Sequence, residues 1–226
     1  MKAGSRMTEI RELSAEPELR EAVALQKTIW GFEDADLLPF RMFVVATKIG
    51  GQLLGAFDGG RMIAFCVAIP GFKPGNKVYL HSHMLGVLPE YRNAGIGRQL
   101  KLRQRDDALA RGIDLIEWTF DPLDVKNAWF NIERLGAIVR RYLRNQYGVS
   151  SSALHGGLPT DRLVAEWWIG KPRQKAEVIE RIQVPADIAD ARIKQAEIAD
   201  RFERWFAAGL SVVGFEGTSY LLGVLQ

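Results

Sequence analysis

The stretch Val87-Leu88-Pro89-Glu90-Tyr91-Arg92-Asn93-Ala94-Gly95-Ile96-Gly97-Arg98-Gln99-Leu100 joins a β-favouring run to a helical one through two closely spaced glycines. At such a junction successive backbone N–H groups converge, and the unpaired donors and positive dipole end of the helix favour an anion. Gly95 and Gly97 lack the Cβ atoms that would hold a phosphate away. Two other glycine motifs fail here. A dinucleotide fingerprint needs a third glycine at position 100, where Leu100 stands, and no Gly-Lys-Ser/Thr nucleotide loop occurs. Spacing alone leaves two readings, a phosphate cradle or merely a tight strand-to-helix junction.

Upstream of the turn, Lys77 to Val87 has strand character, and Gln52 to Phe57 and Arg61 to Ile69 flank the hairpin signal Asp58-Gly59-Gly60. Pro70 to Asn76 is rich in turn formers. Further back, Leu19, Ala22, Val23, Gln26, Ile29 and Trp30 recur at helical spacing before Gly31, and Pro39 to Ile49 is a second helical stretch stopped by Gly50-Gly51. Thr8 to Leu13 is a first strand. Downstream come a strand over Ile113 to Phe120, a helix over Lys126 to Leu135 stopped near Gly136, a strand over Ile138 to Leu143, a loop over Ser150 to Thr160 and a strand over Arg162 to Ile169.

This alternation of helix and strand predicts a mixed α/β sheet. Past Gly170-Lys171-Pro172 a strand near Val178 to Val184, a charged helix from Ala186 to Ala208 and strands within Leu210 to Leu225 form a C-terminal α/β extension. The expected division is a domain over residues 1–170 and an extension or small subdomain over 171–226. In the helix Ile96 to Arg111, Ile96, Leu100, Arg103 and Asp107 share one side and Leu102 and Leu109 lie nearly opposite. That pattern predicts a helix covered on both sides with an Arg103–Asp107 pair.

In a chain of 226 residues, 47% hydrophobic and 25% charged, there is enough apolar surface for a stable core without crosslinks. The formal charge of +3 is too mild to point to nucleic acid or an anionic membrane, and no apolar run is long enough to span one. The lone Cys66 lies in the apolar run Ile63 to Ile69 and fits a buried thiol in a reducing cytoplasm. No metal-ligand spacing is evident, so no metal is expected.

The segment Val87 to Leu100 resembles the coenzyme-binding motif of the GNAT superfamily of N-acyltransferases. That family's Arg or Gln, two residues, Gly, one residue, Gly or Ala is met by Arg92, Gly95 and Gly97, and the preceding Val-x-Pro-x-Tyr also matches. The order of elements agrees over residues 8–169, and the resemblance implies an α/β fold with a mixed, mostly antiparallel central sheet flanked by helices. The resemblance implies that acetyl-CoA or another acyl-CoA is the co-substrate. Its pyrophosphate would be held by Arg92, Asn93, Ala94, Gly95, Ile96 and Gly97, with Arg98 adding charge. Leu85 and Val87 would lie on the strand beside the pantetheine, and Asn127 would lie against it as well. One position departs from the family, which often has a tyrosine acid three residues before a Leu-Gly pair; here Ile132 precedes Leu135-Gly136.

For the missing chemistry, strand alternation places Tyr79, His81, His83 and Leu85 on one face, with His83 nearest the thioester as a candidate base or else a structural histidine. Asp121, at the end of a strand, is a candidate to orient an ammonium group or relay its proton, or is simply an Asp-Pro turn former. Tyr142 and Asn131 are further candidates to bond the thiolate. Asp161-Arg162 offers a guanidinium for an acceptor carboxylate, or an exposed turn pair. Trp118, Phe120, Trp129 and Phe130 form an apolar pocket or core. Arg134, Arg140, Arg141 and Arg144 form a basic cluster on a solvated face or against an adenosine phosphate.

The expectation is a cytoplasmic N-acyltransferase acting on a small-molecule amine or amino acid by direct transfer. Acetyl is the default group and succinyl is among the alternatives. The chain has no nucleic-acid or membrane partner, and a homodimer is admitted. Two other outcomes remain, a non-catalytic acyl-CoA-binding or sensing module and acylation of a protein amine.

Overall fold

The computed structural model describes residues 8–148, 159–173 and 176–225. The loop expected over Ser150 to Thr160 lies almost wholly outside them. The chain forms two compact units that divide after Asp114.

The first unit contains β1 (Glu9–Glu12), α1 (Glu16–Trp30), α2 (Phe40–Lys48), β2 (Gln52–Asp58), β3 (Arg61–Lys73), β4 (Lys77–Val87) and α3 (Ile96–Ala110). Its strands pair in chain order, each antiparallel to the next. Met62 to Ala68 of β3 are all buried, because the strand is central and helices cover both of its faces. Around it pack Phe43, Leu53, Leu54 and Leu100, with the rings of Phe65 and Trp30 edge to face at 6.0 Å. Gly31 stops α1 in the left-handed conformation, as expected. Buried Gln26 clamps the connection to α2, donating to Leu38 O at 3.0 Å and accepting from Leu38 N–H at 2.8 Å.

The region Pro70 to Asn76 differs from expectation. β3 continues through Pro70, opposite Leu80, and only Pro74, Gly75 and Asn76 turn the chain. Gly75 and Asn76 both take positive φ, so three residues suffice to close a long hairpin.

The second unit contains β5 (Leu115–Phe120), α4 (Val125–Trp129), β6 (Ile138–Leu143), β7 (Arg162–Trp168), β8 (Val178–Gln183), α5 (Ile188–Ile193), α6 (Gln195–Ala207), β9 (Ser211–Glu216) and β10 (Ser219–Gly223). Its strands run in the order β5, β7, β6, β9, β10, β8, each antiparallel to its neighbour, so the tail strands extend the same sheet. The single helix expected over Ala186 to Ala208 is broken at Lys194. The Lys194 N–H bonds Ala191 O at 3.2 Å, a tightened turn. α4 continues into a π-helical turn over Phe130–Arg134, closed by Leu135 N–H to Phe130 O at 3.1 Å and ended by Gly136 at φ 80°. The fold is thus mixed α/β, with a mostly antiparallel sheet flanked by helices and extra strands and helices at the C-terminus.

α3 is not covered as the pattern of its leucines suggested. Ile96, Leu100, Lys101, Gln104 and Ala108 face inward, while Leu109 is exposed; Arg103 and Asp107 do pair, at 2.9 Å. Lys101 is therefore a core residue. Its Nζ donates to Ser82 Oγ at 2.8 Å and to Gln104 Oε1 at 3.2 Å, and Gln104 Nε2 lies 4.0 Å from Cys66 Sγ. Burial penalises the ammonium and brings its pKa down to about 7, while burial pushes the Cys66 thiol up to about 12.

Two predictions follow from this packing. A Cβ at Gly86 would lie 2.7 Å from the Trp30 ring and 2.8 Å from Ile29 Cδ1, so Gly86→Ala should cost about 1–3 kcal/mol in denaturant unfolding. For Lys101, the unfolded chain holds a proton that the folded one has lost between pH 7 and the ordinary lysine value of 10.5. Its contribution to stability should therefore rise with pH from 7 to 9, with a slope approaching about 1.4 kcal/mol per unit. Above 9 the Cys66 thiol opposes it, because that thiol ionises first in the unfolded chain. Unfolding free energies measured between pH 7 and 9 should show this slope in the native chain and lose it in Lys101→Met.

Candidate functional site

In the first unit the turn after β4 is built from an alternation of backbone conformations. Leu88 N–H bonds Ile63 O at 2.9 Å and keeps the chain on the sheet as β4 ends. Arg92 is extended, Asn93 is left-handed at φ 63°, and Gly95 is left-handed at φ 80° as the cap of α3. Alternating left-handed residues turn successive N–H groups to one side. No side chain caps α3 and no acidic residue occupies its first turn, so its opening donors and dipole meet no competing carboxylate. Asn93, Ala94, Gly95 and Arg98 are exposed and Ile96 is buried, leaving the concave side open.

The side chain of Arg92 has a different task from its backbone. Its Nε donates to Val87 O and its Nη2 to Ile29 O, each at 3.3 Å, tying the turn to β4 and α1. Tyr91 reinforces the entry by donating to Asp58 Oδ2 at 2.9 Å, a bond that raises the phenol pKa. Gly97 faces the Leu85 and Val87 side chains, which would touch a Cβ there at 3.5 and 3.9 Å.

That contact shows that Leu85 does not share a face with His81. The β3–β4 register shifts, with Val67 opposite Met84 and Ala68 opposite Ser82, so His83 is an extra residue in β4. Before the bulge, Ser82 points to α3 through Lys101; after it, Leu85 and Val87 do, while Gly86 turns to α1. Simple alternation therefore fails at His83. The His81 and His83 rings remain neighbours, with centroids 5.9 Å apart. The His83 side chain reaches solvent, yet the protein around it disfavours the charged imidazole and lowers its pKa below the ordinary 6.5. The sequence carries no local signal for the bulge, which exists only relative to β3.

In the second unit, Asp124 caps α4 by accepting from Asn127 N–H at 3.0 Å. The Asn127 side chain is itself oriented, its Oδ1 accepting from buried Asn131 Nδ2 at 3.2 Å. Ile132, where the family often has a tyrosine, is fully buried in the π-helical turn. Trp118 and Phe120 are core residues and Trp129 is exposed, so these rings do not form one pocket. The arginine cluster is largely neutralised. Arg140 pairs with Glu166, Arg141 with Glu117 at 2.6 Å, and Arg144 with Asp200 and Glu203 at 2.5 and 2.7 Å.

At the outer end of β5, Asp121 Oδ1 accepts from Leu123 N–H at 2.8 Å, an Asx turn. Arg162 opens β7 beside it. Asp161 is spent on structure, accepting from Tyr142 Oη at 2.8 Å and Asn145 N–H at 2.9 Å. Burial and that bond raise the Tyr142 phenol far above its ordinary value, leaving it a poor proton donor to a thiolate. The hydroxyl of Tyr220, from the tail, donates to Pro122 O at 2.8 Å and pins the turn that carries Asp121.

Among the described residues no group of three or more His, Cys, Asp and Glu side chains is placed to hold a metal, and no helix is long and apolar enough to cross a membrane.

Several solved structures share the fold. The ribosomal-protein-S18-alanine N-acetyltransferase from Escherichia coli is 19% identical with a TM-score of 0.57, covering 74% of this chain and 96% of its own. Aminoglycoside 6'-acetyltransferase type Ii is 22% identical with a TM-score of 0.57, over 73% of this chain and 99% of its own. A putative acetyltransferase from Salmonella typhimurium, solved with acetyl-CoA, is 15% identical with a TM-score of 0.57, over 72% and 94%. No curated protein matches the sequence. The model of the acetyltransferase (GNAT) family matches residues 9–136, which span β1, the open turn after β4 and the helix that ends at Gly136. With more than half of its length matched to that model, the chain belongs to the acetyltransferase (GNAT) family.

Proposed function

We propose that the protein is an acyl-CoA-dependent N-acyltransferase that passes its acyl group, acetyl by default, directly to a small amine. The observation that carries this reading is the uncapped N-terminus of α3 behind left-handed Asn93 and Gly95, an open set of backbone donors suited to a pyrophosphate. The solved relative from Salmonella typhimurium that carries acetyl-CoA supports the choice of ligand. In this reading the backbone of residues 92–97 holds the pyrophosphate, Arg98 adds a charge, and Leu85 and Val87 line the pantetheine.

The attacking amine must be neutral and must lose a proton as the amide forms. His83 suits that task, because its lowered pKa keeps the imidazole neutral at pH 7 and able to accept a proton. The acyl carbonyl carbon bonds the amine nitrogen, its bond to sulfur breaks, and the thiolate leaves. No phenol stands at position 132 to protonate it, so in this reading solvent does. Buried Ile132 is also the observation that favours the second reading, a module that binds acyl-CoA without transfer.

Calorimetric titration with CoA should give binding to the native chain and weaker binding to Gly95→Ala, because an alanine forced to φ 80° costs about 1–2 kcal/mol. Equal affinity of the two would remove the turn from the site. Free-thiol release from acetyl-CoA with a panel of amines separates enzyme from binding module, since binding without thiol identifies the latter. If His83 is the base, kcat/KM should fall on acidification with a midpoint below 6.5, and His83→Ala should lower kcat by about 100-fold or more with CoA affinity retained. An unchanged acid limb in that variant would assign the proton elsewhere.

A further inference from the structure

At the end of β7 away from Leu163, the second unit holds a cleft of about 420 Å³, within the size range of small-molecule sites. Its apolar lining includes Leu135, Ile138 and the indoles of Trp167 and Trp168. Its charged lining is Arg140, Lys171 and Arg173, and among the described residues no carboxylate lines it.

The excess of cations has a local cause. Val139 is opposite Ala165 and Tyr142 is opposite Leu163, so between these pairs β6 carries one residue more than β7. Arg140 and Arg141 thereby leave strict alternation, and both reach Glu166, whose side chain is only 5% exposed. Arg140 gives Nε and Nη2 to that carboxylate, which leaves its Nη1 donors for a ligand. Arg173 Nη2 donates to Glu133 Oε1 at 3.2 Å and to Val213 O, pinning the segment after β7. The same Glu133 oxygen also accepts from Phe215 N–H at 2.8 Å, so both carboxylates behind these arginines are committed to the protein. Lys171 is exposed and its ammonium group has no ion-pair partner among the described residues, while its N–H bonds Trp168 O at 3.4 Å.

We infer that this cleft is a binding site for a small aromatic carboxylate, its ring against the two indoles and its carboxylate held by Lys171 and Arg140. The site lies wholly within the second unit and does not depend on the acyltransfer reading. Charges of one sign beside low-dielectric walls focus the potential and concentrate ions of the other sign. Trp167 is 7% exposed and braced edge to face by Trp118 at 6.2 Å, which gives the wall a fixed shape, and Trp168 is only partly covered. Inorganic phosphate would pair with the cations and leave the indoles uncovered. A neutral ring would cover the indoles and forgo the charge-assisted bonds. An aromatic carboxylate satisfies both walls.

The test titrates naphthoate, naphthamide, naphthylmethylamine and inorganic phosphate into the full-length chain by calorimetry. Naphthoate should bind one to one, with the amide, the amine and phosphate each weaker by about 10-fold or more, the loss expected for a missing charge-assisted bond or a missing ring. Lys171→Glu, at an exposed position outside any helix or strand, should weaken naphthoate by about 10–100-fold and leave the amide unchanged. Trp168→Leu should weaken both, with circular dichroism reporting whether that variant is folded; the lysine variant carries the test if it is not. Absence of heat from naphthoate overturns the proposal, as does equal affinity for acid and amide. Phosphate binding as tightly as naphthoate overturns the aromatic assignment, and naphthoate binding indifferent to Lys171→Glu removes the anion from this cleft.

Discussion

Between Ser82 and Leu85, β4 carries one residue more than β3 can match, and much of the first unit is positioned by that surplus. A strand shows each face every second residue, so one added residue exchanges the faces for everything beyond it. Before His83 the side of β4 under α3 is buried and partly polar, holding Ser82 against Lys101. Beyond it the same side carries Leu85 and Val87 against Gly97, and Gly86 turns to admit the Trp30 ring of α1. The chain therefore leaves β4 with α1 packed close on one side and the start of α3 close on the other. In that geometry Arg92 reaches carbonyls of both β4 and α1, and the donors of α3 remain uncapped.

Much of this was legible in the sequence where it depends on local chemistry. Gly31, Gly95 and Gly136 take the left-handed conformations that stop or start helices, and strand and helix periods place nearly every element. What was not legible depends on partners distant in the chain. The bulge at His83 exists only against β3. The inward turn of Lys101 and Gln104 is set by Ser82 and Cys66, from two other strands, and no period in α3 announces it. Arg140, Arg141 and Arg144 looked like a basic surface because their carboxylates come from β5, β7 and α6. Asp121 and Arg162 were each visible as isolated charges, but their juxtaposition needed the pairing of β5 with β7.

Polar groups inside the two units follow different rules. In the first, Lys101 donates to the neutral acceptors Ser82 and Gln104 while burial lowers its pKa to about 7, and Gln26 is matched to one backbone unit at Leu38. In the second, the buried carboxylates of Glu117 and Glu166 are matched by arginines whose heads stay half in water, which spares the guanidinium much of its desolvation. Both solutions leave few buried groups unmet, and both restrict what a substitution can do without repacking.

The tail strands have a meaning beyond their contacts. β6 meets β9 through buried Val139 and Val212, so a chain ending near residue 170 would present β6 as an open sheet margin. An uncovered margin is a template for pairing with other chains, and apolar side chains along it make that pairing adhesive. With the extension present, that end of the unit's sheet is instead β8, which shows water Arg181 and Gln183 along with Val178 and Ile179. The extension thus places Val139 inside the sheet and moves the edge that a neighbouring chain would meet from β6 to β8.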